Sequence, residues 1–593
     1  GSTIIQQPIK IRIKMTKRTL LLILVSAHLN SYAQNCPIPS AQMDLAVNNV
    51  RAKILNGGDL WWDPAGQSNT YTVPIDSGVN AIYAGSIWLG GIDLGGQVYV
   101  AAQTYRQSGA NDFWPGPISK NSATGILTVS NATCNTYDNL YHISKSEVAN
   151  FVNNGITTPA ITGWPGNGNV TTGELPYLAP FFDANNDGLY DYNSGDYPYF
   201  NLSNSYPLNS GTGQLQCDDY LFGDECIWWV FNDIGNVKTE TNSNPIGLEI
   251  RAQAFAYSMP GSPIDNTVFY KYQIINRSST TYEQFQAGFW VDPDLGNAAD
   301  DYVGCDVGRS MGYAYNGDAD DDGGYGLYPP AIGLDYLQGP IADIFDATDN
   351  DRDGFVDENG EQCLMNSFLY YENINGVSYG NPGVLHDYYS YLQGKWKNNI
   401  PVTYGGNGRG AGPGSTSTAT TFMFPDNTDP NFTTPWTMNS GGLQPNDMRF
   451  VMSAGQFTMS PGEVNYISFA SIWARSNVPS ALPSIDALQT SSDIVQDFFD
   501  NCFTTTGIPE ANLLNLLQVG PNPFTNTTTL NPRALKGGNY ILSVYNTKGQ
   551  LVETIKLNDR SPVISIGSSW SKGVYFLTLQ GASAKQTAKV VKM

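Results

Sequence analysis

Histidine is almost missing from this chain of 593 residues: there are three, and only His142 and His386 lie beyond the first thirty-four positions. Neither sits in an H-E-x-x-H or similar pattern, which argues against a histidine-ligated zinc hydrolase. There is no G-x-S-x-G elbow and no G-x-x-x-x-G-K-[ST] phosphate cradle. The seven cysteines contain no C-x-x-C pair, so a zinc ribbon or thiol redox motif is not expected. Lys and Glu are scarce, while Gly, Asn, Tyr and Trp are abundant. That balance favours strands and turns over helices.

Positive charge is also scarce, and unevenly placed. Residues 1–34 hold five basic residues and no acids, and residues 515–593 hold nine basic residues and two acids. The body between them is left with sixteen basic and fifty-one acidic residues, a net charge of −35. So acidic a surface repels nucleic acid and anionic membrane and attracts divalent cations.

The one long apolar run, Leu20–Leu29, follows Lys17 and Arg18 and precedes Ser31-Tyr32-Ala33. This is the pattern of a secretory signal peptide over 15–33, too short for a spanning helix. It predicts initiation at Met15, an upstream extension over 1–14 and a mature chain from Gln34, with no transmembrane segment. Asn35 before Cys36 is the wrong residue for lipid attachment. Export permits disulfides. Cys217 and Cys226 are the nearest pair and the first candidate bridge, with buried free thiols as the alternative reading.

Alternating runs recur along the body. Residues 81–106 read as a hairpin across "GIDLGG". Much of 107–215 reads as coil. "CIWWVFND", "GLEIRAQAFAYSM", "NTVFYKYQIINRS" and "YEQFQAGFWVD" follow closely, and strands resume at "MRFVMSAGQFTM" and "NYISFASIWAR". In the second run Leu248, Ile250, Ala252 and Ala254 share one face and Glu249, Arg251 and Gln253 the other, which predicts a half-buried strand. A helix is expected over 483–500. The fold class expected is mainly β: antiparallel sandwiches with long acidic Gly/Asn-rich loops. The divisions expected are an N-terminal β region over 34–130, a central acidic body over 131–505, a linker over 506–514 and a small domain over 515–593.

That last domain carries "VGPNPF" (519–524), "YNTKGQLV" (545–552), "KGVYFLTL" (572–579) and a terminal "KVVKM". In these it resembles the type A C-terminal sorting domain of the type IX secretion system of Bacteroidota. The resemblance implies an immunoglobulin-like sandwich, recognition by the outer-membrane translocon and its sorting machinery, and release or anchoring to surface lipopolysaccharide. "DECIWWVFND" (224–233), "GLEIRAQAFAY" (247–257), "DNTVFYKYQIINRS" (265–278), "DDYVGCDVGRSMGYAYNGD" (300–318) and "PPAIGLDYLQGP" (329–340) resemble large exported proteins that bear the same tail. That second likeness implies location and architecture only.

Two acidic loops stand out. In "DNDRDGFVDENG", Asp349, Asp351, Asp353, the Phe355 carbonyl and Asp357 match positions one, three, five, seven and nine of a calcium loop, with Gly354 at the turn. Asp183, Asn185, Asp187, the Leu189 carbonyl and Asp191 repeat the pattern. A hard cation wants six to eight oxygens, and alternate side chains on a tight turn converge on one point. Position twelve falls on Gly360 and Ser194, leaving Glu358, Glu361 or Asp196 to substitute. A weaker echo runs Asp318, Asp320, Asp322, Gly323. The flanks lack paired EF-hand helices, so the loops predict structural calcium; the bland reading is an Asp/Asn/Gly turn.

Carboxylate pairs at Asp224 and Glu225, or at Asp292 and Asp294, are the remaining catalytic candidates; Asp292, Asp294, Asp300 and Asp301 equally suit a shared cation or turn caps. Trp61, Trp62, Trp88, Trp114, Trp164, Trp228 and Trp229 suit either a sandwich core or sugar platforms. The sequence thus predicts a secreted or cell-surface, calcium-stabilised structural or adhesion protein, with a secreted carbohydrate-active enzyme or extracellular glycan-binding protein as the alternative.

Overall fold

The computed structural model describes residues 35–593 except 67, 107–108, 202–217, 220–221, 359, 479, 481, 505–518, 531–538, 549, 559–563 and 581–584. The leader over 15–33, the extension before it, the 506–514 linker and Cys217 lie outside the described residues. The chain divides into two compact units, 1–503 and 504–593.

The first unit is built on two antiparallel sheets. One runs in the order Met365–Glu372, Met448–Met459, Tyr282–Asp292, Ala84–Asp93, Asp59–Leu60, Arg51–Leu55, Tyr71–Thr72, Asn80–Ile82. The other runs Trp114–Pro115, Glu225–Asn232, Leu248–Ala256, Thr267–Asn276, Val464–Ala474, Ala331–Gln338, Met311–Asn316, Asp301–Asp306. Aromatic side chains alternate inward from both and meet in one core. Phe289 of the first sheet stands 4.4 Å from Phe469 of the second, and the Trp61 indole donates to the Tyr270 hydroxyl at 2.7 Å. Tyr336 donates to the Met452 carbonyl at 3.1 Å, pairing one buried hydroxyl across the layers. The molecule is mainly β, as the alternating runs require. Segment 34–130 is not a body apart, because strand 84–93 lies beside strand 282–292 and its side chains join the same core.

Two sequence expectations change here. The strand 248–256 is buried on both faces, not one. On its polar side Arg251 reaches the Leu178 carbonyl of the stretch read as coil, and that stretch also forms three short helices, Asn131–Tyr137, Lys145–Asn154 and Pro159–Thr162. Ser130, Ser144 and Thr158 cap them, Ser144 and Glu147 forming a reciprocal capping box. The hairpin over 81–106 does form, pairing Ala84–Asp93 with a shorter Val98–Ala101. The helix expected over 483–500 spans Leu482–Asp500 and lies against the outer side of the second sheet, Ser492 donating to buried Asp335.

The expected Cys217–Cys226 bridge does not form. Cys226 is a free buried thiol on strand 225–232, packed into the core, and Cys502 is disulfide-bonded. A disulfide joins Cys36 to Cys134, closing a loop of 98 residues and tying the N-terminal segment to the first short helix. Trp114, Ile118, Leu127, Val129 and Ile234 bury it.

The second unit has its own small core of Phe524, Leu530, Leu542, Val544, Leu557, Ile566, Trp570, Tyr575, Leu577, Leu579 and Val590. Its four-stranded sheet runs Leu551–Asn558, Asn539–Asn546, Gly573–Gln580, Lys585–Lys592. A three-stranded sheet, Val519–Gly520, Thr528–Leu530 and Ile564–Ile566, completes an immunoglobulin-like sandwich. The "PNPF" motif and the chain end hold each other. Phe524 N–H donates to Val591 at 2.9 Å, Met593 N–H donates back to Phe524 at 2.8 Å, and Lys592 Nζ reaches the Gly567 carbonyl at 2.6 Å.

Candidate metal centre

The acidic loop leaves strand 331–338 and returns into strand 365–372. Its base is closed by Ala342 N–H to Glu361 O at 2.9 Å and Cys363 N–H to Pro340 O at 2.7 Å. Asp343 clamps it to the first sheet by accepting from the Thr458 amide and hydroxyl at 2.8 and 2.7 Å.

Within the loop the aspartates shape the turn. Gly354 N–H donates to Asp349 Oδ2 at 3.1 Å, Asp353 N–H to Asp351 Oδ1 at 3.3 Å, and Phe355 N–H to Asp353 Oδ1 at 2.8 Å. Arg352 and Gly354 take φ of 60° and 97°. Loop 183–191 repeats this turn bond for bond. Gly188 donates to Asp183 Oδ2 at 2.8 Å, Asp187 to Asn185 Oδ1 at 3.0 Å and Leu189 to Asp187 Oδ1 at 2.8 Å, with φ of 60° at Asn186 and 77° at Gly188. Positive φ at the sixth position is why glycine stands there.

The two loops differ in where their acids converge. Oxygens of Asp349, Asp351 and Asp353 lie within 4.8 Å of one another, and so do those of Asp351, Glu358 and Glu361. Among the described residues no donor meets Asp349 Oδ1 or either oxygen of Glu358, although all three are shielded from solvent. Burial raises the pKa of Asp351, with the negative charges of Asp353, Glu361 and Asp349 adding to it. Burial likewise raises Glu358, reinforced by Glu361, Asp353 and Asp351. Asp357 turns aside and accepts from Ala347 N–H at 3.0 Å. The acids that join the three aspartates are therefore Glu358 and Glu361, the substitutes outside the strict spacing, and not the ninth-position Asp357. Phe355 holds the loop through its amide, and its ring is exposed.

In 183–191 no three carboxylates converge among the described residues. Asp191 instead caps the turn Tyr192–Ser194, accepting from Asn193 N–H at 2.9 Å, a bond that lowers its pKa. Buried Asp196 accepts from the Ala184 and Asp191 amides at 2.9 and 2.8 Å. Asp318 accepts from Asp320 N–H as part of a local turn, and buried Asp321 accepts from Asn297 N–H at 3.0 Å.

The carboxylate pairs resolve as follows. Asp224 accepts from Ser258 N–H at 2.8 Å, while Glu225 pairs with His142 at 3.1 Å. Asp301 accepts from Leu295 N–H at 2.8 Å and Asp300 from the Asn297 amide group at 3.1 Å. Asp292 and Asp294 do converge, joined by Asp447, which no sequence pattern pointed to. Burial pushes Asp292 well above the carboxylate range, opposed by Arg449; burial and the charge of Asp447 lift Asp294 to about 6. All seven tryptophans weighed as sugar platforms are buried.

Residues 518–593 match the family described as the secretion system C-terminal sorting domain. The C-terminal unit is a secretion sorting domain. It marks the chain for export by type IX secretion, as in Bacteroidota, to the outer cell surface or beyond. Among the described residues no helix is long and apolar enough to cross a membrane. No curated protein matches the chain. Among solved structures a polysaccharide lyase matches at 9% identity, covering 58% of this chain and 34% of that one, with a TM-score of 0.17. The chain spans about a third of that lyase's length, and likeness at this level carries no argument.

Proposed function

We propose that the exported body is a structural or adhesion protein of the outer cell surface whose acidic loop is stapled by calcium. The observation that carries this is the set of solvent-shielded carboxylate oxygens without a donor on Asp349 and Glu358, beside Asp351, Asp353 and Glu361. A hard cation supplies the missing positive partner. The leader over 15–33 delivers the chain to the periplasm. The translocon and its sorting machinery are its first partners, and surface lipopolysaccharide or an extracellular glycan is its later contact. The 183–191 loop has the same turn and is the weaker calcium candidate. The burial of the tryptophans removes the support that exposed platforms would have lent to the carbohydrate-active alternative.

Arg352 gives the staple a readout. Its guanidinium is docked on the body, donating to Val307 O at 2.7 Å and to Met365 O, with the Phe422 ring 5.5 Å away. Extracellular calcium modules bind at about 10⁻⁴ to 10⁻³ M. At ten times such a dissociation constant, calcium suppresses the open loop about elevenfold, or about 1.4 kcal/mol. Chelation of the full mature chain is therefore expected to speed trypsin cleavage at Arg352 about tenfold. Asp351→Ala with Asp353→Ala should give the fast rate with or without calcium. Equal cleavage of the wild-type chain in calcium and chelator would reduce the loop to an ordinary acidic turn. Binding and reducing-end release on a polysaccharide panel separate the adhesion reading from the enzymatic one.

A further inference from the structure

The second acidic cluster lies where two strands of the first sheet meet. Asp292 ends strand 282–292, Asp294 follows two residues later, and Asp447 immediately precedes strand 448–459. The last ladder pair, Val291 with Phe450, sets Asp292 beside Arg449. Arg449 then organises the group. Its Nη2 donates to Asp292 Oδ2 at 2.9 Å, its Nη1 to Asp447 Oδ1, and its Nε to the Tyr105 hydroxyl at 2.9 Å. The Tyr105 hydroxyl in turn donates a hydrogen bond to Asp292 Oδ2. Asn373 Nδ2 holds Asp447 Oδ2 at 3.0 Å.

These contacts account for every carboxylate oxygen of Asp292 and Asp447 except one. Asp292 is 1% exposed, and its Oδ1 is shielded from water with no donor among the described residues. Oxygens of Asp292, Asp294 and Asp447 lie within 4.8 Å of one another. Three carboxyl groups share one guanidinium here, so all three can carry their charge together only beside a further cation. A buried anionic oxygen without a partner is costly, and adjacent like charges add to that cost. A divalent cation answers both, because it balances the charge and takes the lone pairs that no donor uses.

We propose that Asp292, Asp294 and Asp447 form a calcium site separate from the acidic loop, with Arg449, Tyr105 and Asn373 as positioning residues. The ion joins the end of one central strand to the start of its neighbour and locks the Tyr105 segment onto both. Water completes its shell on the open side, where Asp447 is 35% exposed. The proposal does not rest on the acidic loop, since the two sites share no residue.

Terbium serves as the probe, in the full mature chain. The Trp290 ring stands 5.0 Å from Tyr105 and stacks on Trp88 at 6.2 Å, so tryptophan excitation feeds an ion held here. The described aromatic residues lining the cavity beside the acidic loop are Phe422 and Phe457. We expect tryptophan-sensitised terbium emission that calcium displaces. Asp294→Asn with Asp447→Asn, both close in shape to the originals, should weaken calcium's competition about tenfold or more. Asp351→Ala with Asp353→Ala should leave this emission in place. Absence of tryptophan-sensitised emission would overturn the site, as would emission and calcium competition unchanged in the Asn variants, or emission lost with the loop variant alone. Should the double Asn variant not fold, Asp447→Asn by itself, at the exposed edge, gives the same reading.

Discussion

Removal of residues 515–593 should strand the body in the periplasm, and grafting them onto another exported protein should carry that protein outside. The expected change is close to all or none. The tail has its own core and its own sheets, so its loss takes no side chain from the core that Trp61, Phe289 and Phe469 share. A truncated chain should keep the melting behaviour of its first unit while losing its destination. A finer cut separates folding from recognition less cleanly but tests the zipper at the chain end. Loss of "KVVKM" removes Val590 from the small core and the partners of Phe524, so it should unfold the sorting domain and block export as fully as the whole deletion. Cell-surface biotinylation and fractionation measure both. A truncated chain that still reaches the surface at wild-type levels would end the sorting reading for this tail.

Part of this molecule is legible in its amino-acid sequence because the information is local. The sorting motifs are contiguous runs, each readable without its pairing partner, even though the PNPF run pairs with the distant chain end. The acidic loop is legible because calcium-type ligands alternate along one turn, and both copies adopt the same hydrogen-bonded conformation. Three features are not legible in this way. Asp447 joins Asp292 only through the strand pairing that sets 448–459 against 282–292, and no spacing rule reaches across that distance. The capped helices around Ser144 and Thr158 carry their signals, an S-x-x-E box and a proline at the first turn, but their short length hides them in a Gly- and Asn-rich stretch. The disulfide joins Cys36 and Cys134 because sequence proximity does not order cysteine pairing, and Cys226 faces the packed core.

The polar face of strand 248–256 gives the most direct energetic test of the layer built over the second sheet. A solvated face would make Glu249 and Arg251 an ordinary surface pair worth at most about 1 kcal/mol. Instead Glu249 is fully buried and uses both oxygens. Oε1 accepts from Arg251 Nε and Nη2 at 3.0 and 2.6 Å, and Oε2 accepts from Arg277 Nη1 and Ile118 N–H at 2.9 Å each. The guanidiniums reach on to the covering layer, Arg277 to Gly173 O at 3.0 Å and Arg251 to Leu178 O at 3.4 Å. Glu249→Ala would leave two buried cations and one amide without their anion. Breaking such a network from one side costs about 3–5 kcal/mol, because the unpaired charges remain buried. We therefore expect Glu249→Ala to lower the unfolding free energy by about that amount in denaturant titration. Replacing all three together, Glu249→Leu with Arg251→Met and Arg277→Met, should cost far less, since it removes the desolvation penalty along with the attraction. A loss below about 1 kcal/mol for Glu249→Ala would mean that water reaches this face, and that segment 131–200 does not close over the sheet.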